Sequence, residues 1–551
     1  MMILMDSMTS IEITDGVYRS VDKFFSLVFY LAIIFSMINV FTQLVNPFTI
    51  VLAYFLVGYW LVELVGLKIS FFEKIVCATA ISPLITVFFF SVGLVLGLSF
   101  GVVLALFFAF LLVLKLKGRH VGFGGESVGV NIFLVLMNAI FMAVLTAPYL
   151  NTYVRVKSYH GFMHASITNS IFASGIPPAD PFFYGQTIKY PYMYHLFAGI
   201  LNYCSNISLF ACFAIINIFS LILIVSLIYY CSRNLLKTSV LASMLSSYLA
   251  LTGVLFIHEF ISRFAEFQIY RQGLFFFHKM TNITAMPLGI SFICLFVYSL
   301  AKIVLEGRSK TSLVLLFSSL VGVSYFYPVY APVVYVISFL TLVKESFRDK
   351  STRRRFLKQT FLFFALAVFV VFPYAETLFI GRNYENCVEF SSMFKLKRKA
   401  YIFLVISPLL ALTGVFLYKK QGLNNLKLMF ILGILMPILF FISLTLNANH
   451  YNDHKFLYVS IIFLSVGACA GIETIYGIRY LPGSSQAILF EWISENANPE
   501  SIFIDSMNSI PVFTGRRLFL AEGRDFGLDF DRSWFIAVSY THLTLPTKRI
   551  V

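Results

Sequence analysis

The feature that most restricts this chain is a repeated series of apolar runs, each near the roughly 20 residues a helix needs to cross a bilayer. Candidate spans lie at 24–45, 48–67, 72–96, 98–116 and 130–148, then at 208–231, 238–257, 285–303, 359–379, 400–418, 428–446 and 456–477. Residues 311–343 read as two short helices broken between Tyr325 and Pro332, where each proline removes a backbone donor. The pattern predicts an all-α polytopic membrane protein of about 13–15 crossings. Composition agrees, since 59% of the 551 residues are hydrophobic and 12% charged. That is about half the charged share of a soluble domain, too little to cover so much apolar surface in water. The 63 Phe and 30 Tyr suit packing against lipid and ring placement at headgroup depth.

A net charge of +15 could point to nucleic acid, but a nucleic-acid reader gathers its cations on one folded face. Here they occupy short breaks between apolar runs, so no nucleic-acid partner is expected. The densest cluster, Lys344, Arg348, Lys350, Arg353, Arg354, Arg355 and Lys358, reads as a solvated loop beside anionic headgroups of the membrane. With the basic breaks at Lys115, Arg233, Arg308 and Lys419 it should be cytoplasmic, leaving loops 149–191, 258–284, 381–399 and 447–455 outside. This placement, in a multi-pass protein of the cell membrane, requires that the short run 192–204 does not cross. Charges within the spans are scarce: Glu63 and Glu376 lie near span ends, and no chain of carboxylates marks an ion path. Six of the seven cysteines lie in or beside apolar runs and only Cys387 in a polar loop, so no disulfide framework is offered.

The chain divides into a tail at 1–23, without the basic start and cleavage site of a signal peptide, and a membrane domain at 24–480. Residues 481–537 read as the start of a truncated soluble α/β segment, with an amphipathic helix through Trp492, a stop at Asn498-Pro499 and a strand at 502–504. Residues 538–551 resemble translated adapter sequence and are left out of the fold reasoning.

The most informative stretch is 158–202. His160, His164, Ile167 and Ile171 recur at helical spacing, so an interfacial helix would present two imidazoles on one face. Gly175 and Pro177-Pro178 end that helix, and Asp180, Tyr190, Tyr192 and His195 follow in a turn-rich return toward the bilayer. Asp180 could equally organise the turn before Pro181. The two helical histidines could hold a divalent metal, but no third ligand is evident, and no metal is expected.

This layout, a helix carrying His, a Gly-x-Pro-Pro turn, Asp180-Pro-Phe, Gly185, then Tyr190-Pro-Tyr192 before an apolar helix, resembles the first external loop of GT-C membrane glycosyltransferases. Asn452-Asp-His-Lys-Phe-Leu-Tyr458, Trp492 to Asn496, Ile502 to Ile504 and Thr514 to Arg517 agree with it. The resemblance implies transfer of a sugar from a polyprenyl-phosphate donor to an acceptor on the outer face; the lipid-linked sugar is the donor substrate, and no cofactor is read from the sequence. A base must take the acceptor proton, and cations must meet the departing phosphate. Where the family has an acidic residue early in the loop, this chain has Tyr159 and His160. The base is then Asp180, His160 itself, or Glu259 or Glu266 of a later outer loop; Asp180 is preferred, with His160 and His164 beside it. Lys455, Lys189, Arg263 and Arg271 are the phosphate-binding candidates, and Tyr190, Tyr192, His195 and Asp453 would line the substrate. In the family such a tail faces outward, whereas the charge count places residues after 480 inside. The rivals are a lipid-linked glycan transporter or flippase and a non-catalytic membrane assembly protein.

Overall fold

The computed structural model describes residues 23–35, 45–66, 71–117, 159–183, 185–231, 247, 283–347, 353–379, 502–505 and 517–521. The expected spans at 130–148, 238–257, 400–418, 428–446 and 456–477 lie outside them.

The architecture is helical. In chain order α1 is Lys23–Phe35 and α2 Phe48–Val65, the latter carrying a π-helical turn at Leu52–Leu56. Then come α3 (Phe71–Val95), α4 (Phe100–Lys117), α5 (Tyr159–Ser174), α6 (Met193–Ser205), α7 (Leu209–Tyr230), α8 (Met286–Glu306), α9 (Lys310–Phe326), α10 (Ala331–Ser346) and α11 (Arg353–Phe379). Seven of the described helices are long and apolar enough to cross a membrane: α2, α3, α4, α7, α8, α10 with its 3-10 lead-in, and α11. The chain is a multi-pass membrane protein.

The break expected between Tyr325 and Pro332 is present. Helix α9 stops at Phe326, Pro328–Tyr330 forms one 3-10 turn, and α10 restarts with Pro332 in its first turn, where a missing N–H costs nothing. Helix α11 starts earlier than its apolar run. Arg353, Arg354, Arg355 and Lys358, expected in a loop, are helical, because long basic side chains are good helix formers whose heads stay in water.

Contacts between helix ends sort the bundle into two poles. At one, Lys310 Nζ donates to Val65 O at 2.8 Å, and Arg308 donates to Phe356 O at 3.3 Å, to Ser346 Oγ at 2.7 Å and to Leu342 O. At the other, Asn46 N donates to Ser205 O at 2.8 Å. Apart from Lys189, the described helix and loop cations all lie toward the first, basic pole.

Helices α5 and α6 do not run between the poles. The start of α5 meets the start of α7 through Phe162 and Phe210, and its end meets the start of α4 through Phe172 and Phe100. Helix α6 reaches from the end of α11, through Tyr192 and Thr377, to the start of α2, through Ser205 and Asn46. All these points lie at the far pole, so α6, at 13 residues, lies across the bundle and does not traverse it. Small side chains seat the long helices: a Cβ added at Gly322 would overlap the ring of Phe292, and one at Gly289 would overlap Tyr327.

Strands β1 (Ile502–Asp505) and β2 (Arg517–Ala521) pair in parallel, Ile502 opposite Arg517, with an irregularity between Phe503 and Ile504. The expected strand at 502–504 is therefore present, and the second was not foreseen.

Candidate functional site

The segment joining α5 to α6 is pinned at both ends. Gly175 adopts φ +77°, a left-handed conformation natural to a residue without Cβ, and terminates α5. Ser170 Oγ donates to Ala179 O at 2.5 Å, and Ser174 Oγ accepts from Ala179 N at 2.8 Å. The chain then doubles back: Asp180 N donates to Gln186 O at 2.7 Å, and Ile188 N to Pro178 O at 2.9 Å.

Asp180 sits at the neck of this turn and is only 3% exposed. Its Oδ1 accepts from the backbone N–H of Phe182 at 2.8 Å and of Phe183 at 3.2 Å, the local side-chain bonding that makes aspartate a turn residue. Its Oδ2 is buried with no hydrogen-bond partner. Burial pushes the carboxyl from 3.8 up to about 6, against the lowering effect of those two N–H groups. Asp180 thus organises the turn with one oxygen and leaves the other uncommitted.

The expected helix over 160–171 forms, but its His164, Ile167 and Ile171 face is buried against protein. His164 Nδ1 lies 2.6 Å from His195 Nε2 on α6. Around this pair stand Tyr190, with ring centroids 6.3 Å from His164 and 5.8 Å from His195, and Tyr194, 5.6 Å from each. Tyr194 donates to Asn217 Oδ1 on α7 at 3.2 Å. Burial lowers the His195 imidazole to about 3, although the carbonyls of Pro191 and Tyr192 pull the other way. His195 is consequently neutral at physiological pH.

Lys189 Nζ donates to Thr377 O at 3.4 Å, near the C-terminus of α11, where the helix dipole favours a cation. Tyr192 lies beside the same residue, with Oη 3.2 Å from Thr377 Oγ1, and packs edge-on to Tyr374. The structure thus brings together His164, His195 and Tyr190, and places Lys189 and Tyr192 side by side on α11. It shows no contact between Asp180 and the histidine pair. His160 lies on α5, but its side chain falls outside the described residues, as do Lys455, Asp453, Arg263, Arg271, Glu259 and Glu266. Among the described residues no group of three or more His, Cys, Asp or Glu could hold a metal ion.

A second polar cluster, at the basic pole, went unread in the sequence. Lys74 Nζ lies 2.5 Å from Glu63 Oε1 and 3.6 Å above the Tyr59 ring. Glu73 Oε1 accepts from Lys302 Nζ at 2.6 Å and from Tyr298 Oη at 2.5 Å. Charges counted as scarce and terminal are therefore paired across α2, α3 and α8. Partners separated by more than 220 residues leave no local signal that they meet.

No protein-family model matches the chain, and no characterised protein matches it in sequence. Its function is argued from the site.

Proposed function

We propose that the chain is a membrane glycosyltransferase of the GT-C kind, moving a sugar from a polyprenyl-phosphate donor to an acceptor at the far pole. In this reading the basic pole is cytoplasmic, by the excess of Lys and Arg in inner segments, and the α5–α6 layer lies at the outer surface. The parallel pair β1–β2 belongs to a small α/β domain following the membrane region.

The observation that carries the reading is Asp180. Transfer needs a base that is ionised near neutral pH yet basic enough to take a proton, and a carboxyl held at about 6 with one oxygen uncommitted has both properties. An acceptor hydroxyl attacks the anomeric carbon and gives its proton to Asp180 Oδ2. The bond from that carbon to the phosphate oxygen breaks, and the lipid phosphate leaves with the electron pair. Lys189 supplies positive charge at the same pole, and His164 with the neutral His195 offers hydrogen bonds to sugar hydroxyls once the layer opens.

The transporter reading gains from the buried charges Glu63, Glu73, Lys74 and Lys302, but these are paired at one pole and mark no path between the two.

Asp180→Asn tests the proposal, with purified protein, a radiolabelled polyprenyl-phosphate sugar and release of lipid phosphate as readout. Asparagine keeps the Oδ1 acceptor of the turn and cannot take the proton. Loss of turnover with retained folding is expected; unchanged turnover overturns the role of Asp180.

A further inference from the structure

Helix α11 carries one exposed face along its length, through Arg354, Lys358, Leu362, Phe369 and Phe372, with relative exposures of 71%, 76% and 59% at the last three. These positions recur at helical spacing and form a single stripe. At 1.5 Å per residue, Arg354 and Phe372 stand roughly 27 Å apart, close to the thickness of a bilayer's hydrocarbon core. The apolar part of the stripe therefore fits lipid tails, and its basic end falls at headgroup depth.

That end is unusual in charge. Arg353, Arg354, Arg355 and Lys358 fall within the first six residues of α11, whose first turn holds no acidic residue. The helix dipole places partial positive charge at the same point, so four cations there oppose it. Arg353 is drawn aside, its guanidinium 3.9 Å from the centre of the Phe347 ring. Arg354, Arg355 and Lys358 remain exposed next to the apolar stripe. Arg308 holds this corner together by bonding Leu342, Ser346 and Phe356 at once.

We propose that Arg354, Arg355 and Lys358 bind the phosphate of an anionic phospholipid whose tails lie along the exposed face of α11. An anion there neutralises both the side chains and the helix dipole, and arginine offers phosphate paired N–H donors. A zwitterionic headgroup supplies no net negative charge, so the site discriminates by lipid class.

The test is native mass spectrometry of the full chain from mixed micelles of phosphatidylglycerol and phosphatidylcholine. Wild type should retain phosphatidylglycerol preferentially, and the triple variant Arg354→Gln/Arg355→Gln/Lys358→Gln should retain at least ~10-fold less, since it removes three cations that attract an anionic headgroup. Molar salt should erase the preference in wild type, a readout that does not depend on the variant folding. Inorganic phosphate at millimolar level should not displace the lipid; displacement would assign the patch to a free anion. Equal retention of both lipids by wild type, or a salt-insensitive preference, overturns the proposal.

Discussion

His164 Nδ1 and His195 Nε2 meet at 2.6 Å and join α5 to α6 across 31 residues of sequence. One nitrogen must donate and the other accept, so the bond survives at most one extra proton. Both rings are buried, so losing either leaves the other nitrogen without its partner. His164→Ala and His195→Ala should each cost about 2–4 kcal/mol. The double variant should fall short of the sum by about 1 kcal/mol, the signature of residues in contact. Thermal unfolding in detergent checks this double-mutant cycle.

The same pair predicts acid sensitivity. His195 titrates at about 3 when folded against 6.5 in the unfolded chain. The unfolded state therefore binds more protons between these values, and stability is lost as pH falls through that window. His195→Gln lacks this linkage, so the gap in melting temperature between wild type and variant should narrow as pH drops from 7 to about 4.5.

Asp180 has the opposite sign. Its carboxyl titrates at about 6 when folded against 3.8 unfolded, so folding is favoured by this group at low pH and loses that contribution as pH rises from about 4 to about 6. Asp180→Asn keeps the bonds to Phe182 and Phe183 and removes the burial of charge. At pH 7 it should be more stable than wild type by about 1–3 kcal/mol, whereas Asp180→Ala, which loses the turn, should be less stable. Melting curves of the three proteins at pH 4 and pH 7 separate these effects.

At the basic pole, truncating Glu73 takes the acceptor from Tyr298 Oη and leaves the mostly buried Lys302 only its longer carboxylate contact, to Glu306 at 3.9 Å. Glu73→Ala should cost about 3–5 kcal/mol, and replacing Glu73 and Lys302 together by Leu and Met should recover most of it. Unfolding temperatures of the single and paired variants decide between a pair that matters for being matched and one that contributes nothing.

Much of this was legible in the chain. Run length gave the described spans at 48–67, 72–96, 98–116, 208–231, 285–303 and 359–379, whereas in the run 24–45 the described helix covers only Lys23–Phe35. Proline gave the break after Tyr325, and the requirement that 192–204 not cross agrees with α6 lying across the bundle. The helical spacing of His164, Ile167 and Ile171 was also correct, but which way that face points depends on α6 packing beneath it, and periodicity cannot say whether a stripe faces a hollow or a neighbour. Asp180 was visible as a turn residue and as a candidate base. What could not be read was the match of His164 with His195 and of Glu73 with Lys302, because only tertiary packing sets those distances.

The account rests on the Asp180 turn and the arginine end of α11 lying on opposite sides of the membrane. Single cysteines placed at Thr187 and at Arg354 in a cysteine-free background, exposed to a membrane-impermeant maleimide in intact cells, test this directly. Thr187→Cys should be labelled without permeabilisation, and Arg354→Cys only after it. Labelling of both from the same side, or of Thr187→Cys only after lysis, would contradict the account.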